Sequence, residues 1–274
     1  MISIIVCSTH NRIDPKLAAN VCATIGDVVY EFVWIDNSDN RYSICAAYNE
    51  GVKRAKYPYL CFMHEDIVFY TYNWGGMAIK AISNIAVGLL GVQGCTYFDE
   101  STIYWTMSGF KKANTILPGR SDKIREDDFP VEGNDVVMVD GMWMFTRKDY
   151  FNDIQWDEHT YQGFHMYDMD LCMQILCRGM KICCLDELWI QHNSYGNWNK
   201  DFFKGCHVFH EKWDRYLPVS AIPVTEEVKK RARKAAMHAI CKYGVEYAKS
   251  QRRLSYWPYK FATKISLLLG KEVW

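Results

Sequence analysis

Short apolar runs alternate with amphipathic stretches through the first third of the chain, and that rhythm predicts alternating strands and helices. Residues 3–7 read as a near-continuous apolar strand, 15–25 as a helix closed by Gly26, and 30–35 as a second strand ending in Asp36-Asn37-Ser38. Residues 43–54 suit a helix, the run from Tyr59 a third strand ending at His64-Glu65-Asp66, 74–85 a helix, and 87–92 a further strand. This βαβα succession predicts an α/β fold with a doubly wound, mostly parallel sheet. Residues 94–134 lose the rhythm and gather Gly109, Pro118, Gly119, Pro130 and Gly133, which predicts a long irregular excursion serving as a lid or specificity loop. Strand character resumes at 136–139 and 143–146 around Asp140-Gly141; 166–177 reads as a helix stopped by Gly179, and 181–185 and 188–190 lead to His192. From Thr225, with Glu226 and Glu227 in the first turn, the pattern is helical to about residue 249.

Charge divides the chain where the pattern does. Net charge is zero, yet residues 224–274 hold twelve Lys/Arg against four Glu, a net of +8, leaving −8 on residues 1–223. The expected organisation is a main domain over 1–215 and a basic helical extension over 216–274. A hydrophobic fraction of 49% and a charged fraction of 23% fit a packed globular core and argue against disorder. The eleven cysteines are odd in number and scattered, several inside apolar runs, with no CxxC pair and no zinc spacing. With no basic leader and no apolar run of membrane-spanning length, a reduced, cytoplasmic chain is expected.

The candidate chemistry lies at strand tips. In parallel sheets, ligands dock at the carboxyl ends of the strands. The first strand ends in Ser8-Thr9-His10-Asn11-Arg12, the second in Asp36, and the third in His64-Glu65-Asp66, a group of residue types that ligate metals. Each has a plain structural alternative: Asp36-Asn37-Ser38 as a turn, the His64 cluster as a polar loop. No GxGxxG and no GxxxxGK[ST] follows the first strand, which argues against a dinucleotide fold or a P-loop.

The order of these features is more specific than any one of them. The first strand with Ser8, then Ile35-Asp36-Asn37-Ser38, then Asn49-x-Gly51 with Ala55, then Asp66, resembles the family-2-type GT-A glycosyltransferases, in particular a branch related to a streptomycin-biosynthesis glycosyltransferase. Val139-Asp140-Gly141-Met142-Trp143-Met144-Phe145, Trp156-Asp157-Glu158 and Tyr167-Asp168-Met169-Asp170-Leu171-Cys172 extend the resemblance over about residues 1–215. It implies a GT-A sheet that binds a nucleoside diphosphate sugar, a UDP-sugar favoured, through Ser8, Thr9, Asn11, Arg12, Asp36, Asn49, His64 and Glu65. It implies Gly141, Met142, Trp143 and Asp170 at the sugar or acceptor, Asp168 as general base, and Asp66 with His192 on a Mn²⁺ or Mg²⁺ ion. The sequence departs from the family pattern twice: His64 stands where the metal motif usually begins with Asp, and Tyr167 where a Glu usually precedes the base.

The chemistry supplies a reason for that residue set. A departing diphosphate gathers negative charge that a divalent cation neutralises. One carboxylate can take the proton of the attacking hydroxyl, and direct attack would invert the anomeric centre. The structural alternatives remain: Asp168 as a helix cap, Asp170 as a structural carboxylate, His192 as a satisfied histidine, and Trp105, Trp143 and Trp198 as packing rather than sugar-stacking aromatics. The expected acceptor is a saccharide or a lipid-linked saccharide. The rival functions are a sugar-phosphate nucleotidyltransferase and an inactive nucleotide-sugar-binding homologue. The basic, aromatic tail reads either as a peripheral contact with the inner face of the plasma membrane or as a stripe packed on the domain or on a second copy in a homodimer. The acidic main domain argues against nucleic acid.

Overall fold

The computed structural model describes residues 1–116, 123–127, 129, 133–194 and 196–250; the tail 251–274 lies outside the described residues. Its first half runs β1 (Ile2–Ser8), α1 (Pro15–Thr24), β2 (Tyr30–Asp36), α2 (Ile44–Arg54), β3 (Tyr59–Met63), β4 (Ile67–Phe69), α3 (Trp74–Ile82) and β5 (Val87–Gly91). Short strands follow: β6 (Gln93–Cys95), β7 (Tyr97–Phe98), β8 (Lys111–Ile116), β9 (Lys123–Asp127), β10 (Asp135–Val136), β11 (Met138–Val139) and β12 (Trp143–Arg147). The chain ends in α4 (Tyr167–Leu176), β13 (Lys181–Cys184), β14 (Ile190–His192), α5 (Lys200–Trp213), β15 (Val219–Ser220) and α6 (Glu226–Ser250).

The predicted α/β sheet is present as seven strands in the order β10-β13-β5-β12-β3-β1-β2. Parallel pairing sets β1 between β2 and β3, with Ser8 opposite Asp36, so the polar tips of the first two strands lie side by side. The sheet is mixed rather than purely parallel, because β12 runs antiparallel between β3 and β5. Helices cover both faces, α2 and α4 on one and α1 and α3 on the other, over the apolar runs of the central strands. The Asn-x-Gly motif has a packing cause here: a Cβ on Gly51 would sit 2.3 Å from the Ile5 side chain, so glycine lets α2 close down on β1.

One expectation is corrected, and one helix is added that the pattern reading did not name. Residues 94–134 are not simply an irregular excursion: β6, β8 and β9 join β11, β14 and β4 in a second, six-stranded sheet. Its strands are short, and buried polar side chains (Lys112 and Asn114 on β8) break the alternation that would have marked them. Residues 200–213 form α5, capped by the Asn199 side chain on the Phe202 amide. Its signal was present in the helical spacing of Phe202, Cys206, Phe209 and Trp213, all buried.

The extension is not a separate body over its described part. Buried Val228, Ala232, Ala236 and Ala239 form one stripe of α6, and its aromatic neighbours pack into the main core beside Phe203. Antiparallel pairing of β15 with β7 ties the segment before α6 to the same body. Among the described residues no helix is long and apolar enough to cross a membrane.

Candidate active site

Strand register assembles the metal-ligand cluster. β3 delivers His64, whose amide bonds the Met142 carbonyl at 3.0 Å, and Asp66 directly precedes β4. Antiparallel pairing puts His192 opposite Ile67, which brings its ring to Asp66 across 126 residues of chain. His64 Nδ1 lies 3.2 Å from His192 Nε2, and His192 Nε2 lies 3.3 Å from Asp66 Oδ1. One ligand atom from each of the three residues falls within 4.8 Å of the others. Donors adjacent around an ion at about 2.2 Å stand about 3.1 Å apart, so this set fits a divalent cation.

The same cluster has an outer support. His64 Nε2 lies 2.8 Å from the Tyr167 hydroxyl, and a ring protonated on Nε2 turns the Nδ1 lone pair into the cluster. The two departures from the family pattern are thus one contact: the histidine and the tyrosine touch each other. Gly141 serves this contact, since a Cβ there would lie 2.1 Å from the Tyr167 hydroxyl oxygen. Burial opposes the charge on Asp66, but its bond to His192 and the positive charge of that ring win and lower it to about 2. His64 is pushed down, by burial first and then by His192. Burial also pulls His192 down, yet Asp66 and Asp140 carry it above its ordinary value.

Asp168 faces the same cleft. Met166, in the left-handed conformation at φ 65°, turns the chain into α4, so Asp168 falls within the first turn rather than at the cap. Its carboxylate accepts from the amides of Gly141 at 3.1 Å and Met169 at 2.9 Å. Burial, and then the negative charge of Asp140, raise it to about 7. A carboxylate tuned to neutral pH is suited to taking a proton. A cleft of about 560 Å³ joins His64, Asp140, Tyr167, Asp168 and His192, with Trp198 at its rim.

Beside it, Glu65 stitches two strand tips together. It accepts from the Ser8 hydroxyl and from the amide and hydroxyl of Thr9 at 3.1 and 3.0 Å, with His10 Nδ1 3.2 Å away. Asn11 and Arg12 are exposed on the same tip. Asp36 accepts from the amide and hydroxyl of Ser38 at 3.0 and 2.7 Å, so the turn and the strand-tip carboxylate are one feature.

Residues 3–213 match a glycosyltransferase-like family. The chain belongs to it. No curated protein matches. Among solved structures, the chain is similar to a mannosyltransferase from Pyrobaculum calidifontis, in complex with GDP-Man and Mn²⁺, at 10% identity and TM-score 0.52, covering 99% of this chain and 88% of that one. It also matches GalNAc-T7 with UDP, GalNAc and Mn²⁺ at 12% identity and TM-score 0.49, covering 97% of this chain and 54% of that one. The fold is GT-A, and the chain is a glycosyltransferase.

Five expected site residues of this glycosyltransferase meet other partners than expected. Trp143 is fully buried between Trp74 and Phe145, and Met142 beside it is equally closed to solvent, so both serve the core. Asp170 is buried on the far side of α4, where it accepts from Lys212 Nζ at 2.6 Å and Trp213 Nε1 at 2.8 Å. Asn49 bonds both backbone groups of Trp156 and ties α2 to the segment before α4. His64, expected with the nucleotide, stands in the metal-ligand cluster instead. Conversely, Asp140, Tyr104 and Ser194 line the cleft although the sequence pattern did not single them out. The turn-forming Asp140-Gly141 pair was the available signal for the first; the other two lie in segments without periodicity.

Proposed function

We propose that this glycosyltransferase is metal-dependent and inverting. It transfers a sugar from a nucleoside diphosphate donor, a UDP-sugar favoured, to a saccharide or lipid-linked acceptor. One observation carries the reading: His64 and His192, which cluster with Asp66, line one cleft together with Asp168. The donor set, two imidazoles and a carboxylate, suits Mn²⁺ over Mg²⁺. Bound there, the cation would neutralise the charge that builds on the leaving diphosphate. The protein's own residues do the rest. Tyr167 holds the His64 ring in orientation, the strand tip at Ser8, Thr9 and Glu65 with Asp36 positions the nucleotide, and Asp168 removes the proton of the attacking hydroxyl. A single base on the acceptor side supports inversion. The motif order supports placement in the branch related to the streptomycin-biosynthesis glycosyltransferase.

Release of nucleoside diphosphate across a panel of sugar donors, with and without Mn²⁺, tests this. Asp66→Ala should lose roughly a hundredfold or more, since the ion's charge stabilisation amounts to several kcal/mol. Equal release by the two proteins would overturn the metal assignment. The net +8 of residues 224–274 supports peripheral attachment at the inner face of the plasma membrane, at about 1 kcal/mol per basic residue near anionic lipid. Removing residues 251–274 should release the protein from anionic vesicles in a sedimentation assay, and unchanged sedimentation would refute it.

A further inference from the structure

Among the described aromatic side chains in the wall of the Asp168 cleft, Phe164 alone is exposed, at 50%. No ring of a described residue touches it. Trp105 and Tyr167 in the same wall are buried, and Trp198 is already stacked on Phe202 at 5.6 Å and 7°, with Tyr243 leaning on it at 4.8 Å. The backbone under Phe164 is pinned on both sides. The Gly163 carbonyl accepts from the Ile44 amide at 3.2 Å, the His165 ring packs edge-on with Phe202 at 5.5 Å, and Met166 is buried in the left-handed turn that opens α4. An apolar ring held out on an anchored turn, inside a cleft rather than on open surface, offers itself to the apolar face of a ligand.

Polar, uncharged groups surround that ring. Burial pushes His165 below the ordinary histidine value against the charge of Asp201, which leaves its ring neutral, and neither nitrogen has a hydrogen-bond partner among the described residues. Phe202 carries both His165 and Trp198, which brings the exposed Ser194 and Asn197, also in the cleft wall, to the same lip. A pyranose suits this mixture: one face of its ring is C–H groups, which lie on an aromatic ring, and its rim is hydroxyls, which need polar partners. An acyl chain would leave the polar groups unsatisfied, and an anion meets no cation among these residues. The strand-tip residues assigned to the nucleotide, Ser8, Asp36 and Glu65, are not in this wall, whereas Phe164 stands four residues before Asp168 with the Met166 turn between them. The lip therefore falls to the acceptor. We propose that Phe164 and His165 form the acceptor subsite, Phe164 stacking on the C–H face of a neutral pyranose and His165 bonding one of its hydroxyls. The subsite rests on the transferase reading above and names the class of the accepting unit and the two residues that select it.

Saturation-transfer NMR on the full chain, with the methyl pyranosides of glucose, galactose, mannose and N-acetylglucosamine, tests the subsite without using the transfer reaction. At least one glycoside should bind, with transfer strongest at the C–H protons of one ring face. Phe164→Ala should weaken that binding about tenfold, the loss expected for one aromatic contact. Phe164→Trp should keep the wild-type affinity and Phe164→Leu should not, because a flat ring rather than apolar bulk is required. His165→Phe, which keeps a ring on Phe202 and removes both nitrogens, should lose several-fold. The Phe164 variants change a half-exposed side chain, so their melting temperatures should match wild type. Binding of no glycoside in the panel, undiminished binding by Phe164→Ala, or equal binding by Phe164→Leu and Phe164→Trp would overturn the assignment. Glucose 1-phosphate and 1-octanol supply the remaining arms: if either binds through Phe164 while the methyl glycosides do not, the lip takes an anion or an alkyl chain and the proposal fails. Nucleoside diphosphate release by the unaltered chain, with no glycoside added, reads the transferase assignment separately.

Discussion

Asp168 and Asp170 stand two residues apart on one helix, are both buried, and have opposite surroundings. Asp170 meets a cation: Lys212 Nζ bridges it to Asp157 at 2.6 Å each, and Trp213 and Gln174 add a second and a third donor. Asp168 meets two backbone amides and a second carboxylate, Asp140, which with burial raises it to about 7. The spacing decides this, because residues i and i+2 of a helix point to different sides. One side of α4 faces α5 and is neutralised for stability. The other faces the cleft and is left short of positive charge, as a proton acceptor requires.

The largest effect expected from breaking this contrast is on turnover. Asp168→Asn should reduce transfer by about 10²–10⁴-fold, the usual worth of a positioned base, in an initial-rate assay at saturating donor. Its stability should move the other way. The folded carboxyl titrates at about 7, above its value of about 4 in an unfolded chain, so the native state binds the proton more tightly. The penalty is absent below the unfolded value and grows as pH rises through the folded one. Asp168→Asn should therefore melt at least as high as wild type in alkaline buffer. Wild-type turnover should fall roughly tenfold between about pH 8 and about pH 6 as the base is protonated.

Next comes Lys212→Met, which strips the cation from Asp170. Leaving a buried carboxylate uncompensated costs about 3 kcal/mol, the low end of the range because Lys212 is 29% exposed. Urea denaturation should show that loss, while turnover per folded molecule stays near wild type. If turnover collapsed with full stability, Asp170 would belong to the cleft after all and the contrast would be wrong. Tyr167→Phe should be mildest, removing only the partner of His64. It should weaken Mn²⁺ binding by about 10–100-fold, read by titration, with little change in melting temperature.

Much of the strand-tip arrangement was legible from local pattern. Strand tips follow from where an apolar run stops, and parallel pairing then lines up Ser8, Asp36 and Glu65 without further information. The cluster was legible in part: Asp66 and His192 came through family likeness and His64 through its residue type at the strand tip, whereas the support of His64 by Tyr167, 103 residues away, was not. Trp143 and Met142 misled for a related reason, since a strand residue's face depends on which strands flank it. The second sheet escaped because buried Lys112 and Asn114 look like surface residues until Asp186 and the Gly133 carbonyl are placed beside the lysine.

The sequence by itself determined the alternating elements, the polar tips that close the first strands, the charge division, and the family. Those follow from periodicity and from residues near one another in the chain. Only the tertiary structure decided that His64 and Tyr167 support each other and that Asp170 is neutralised while Asp168 is not. Each of these joins groups far apart in sequence, and a side chain's charge state depends on what burial places next to it.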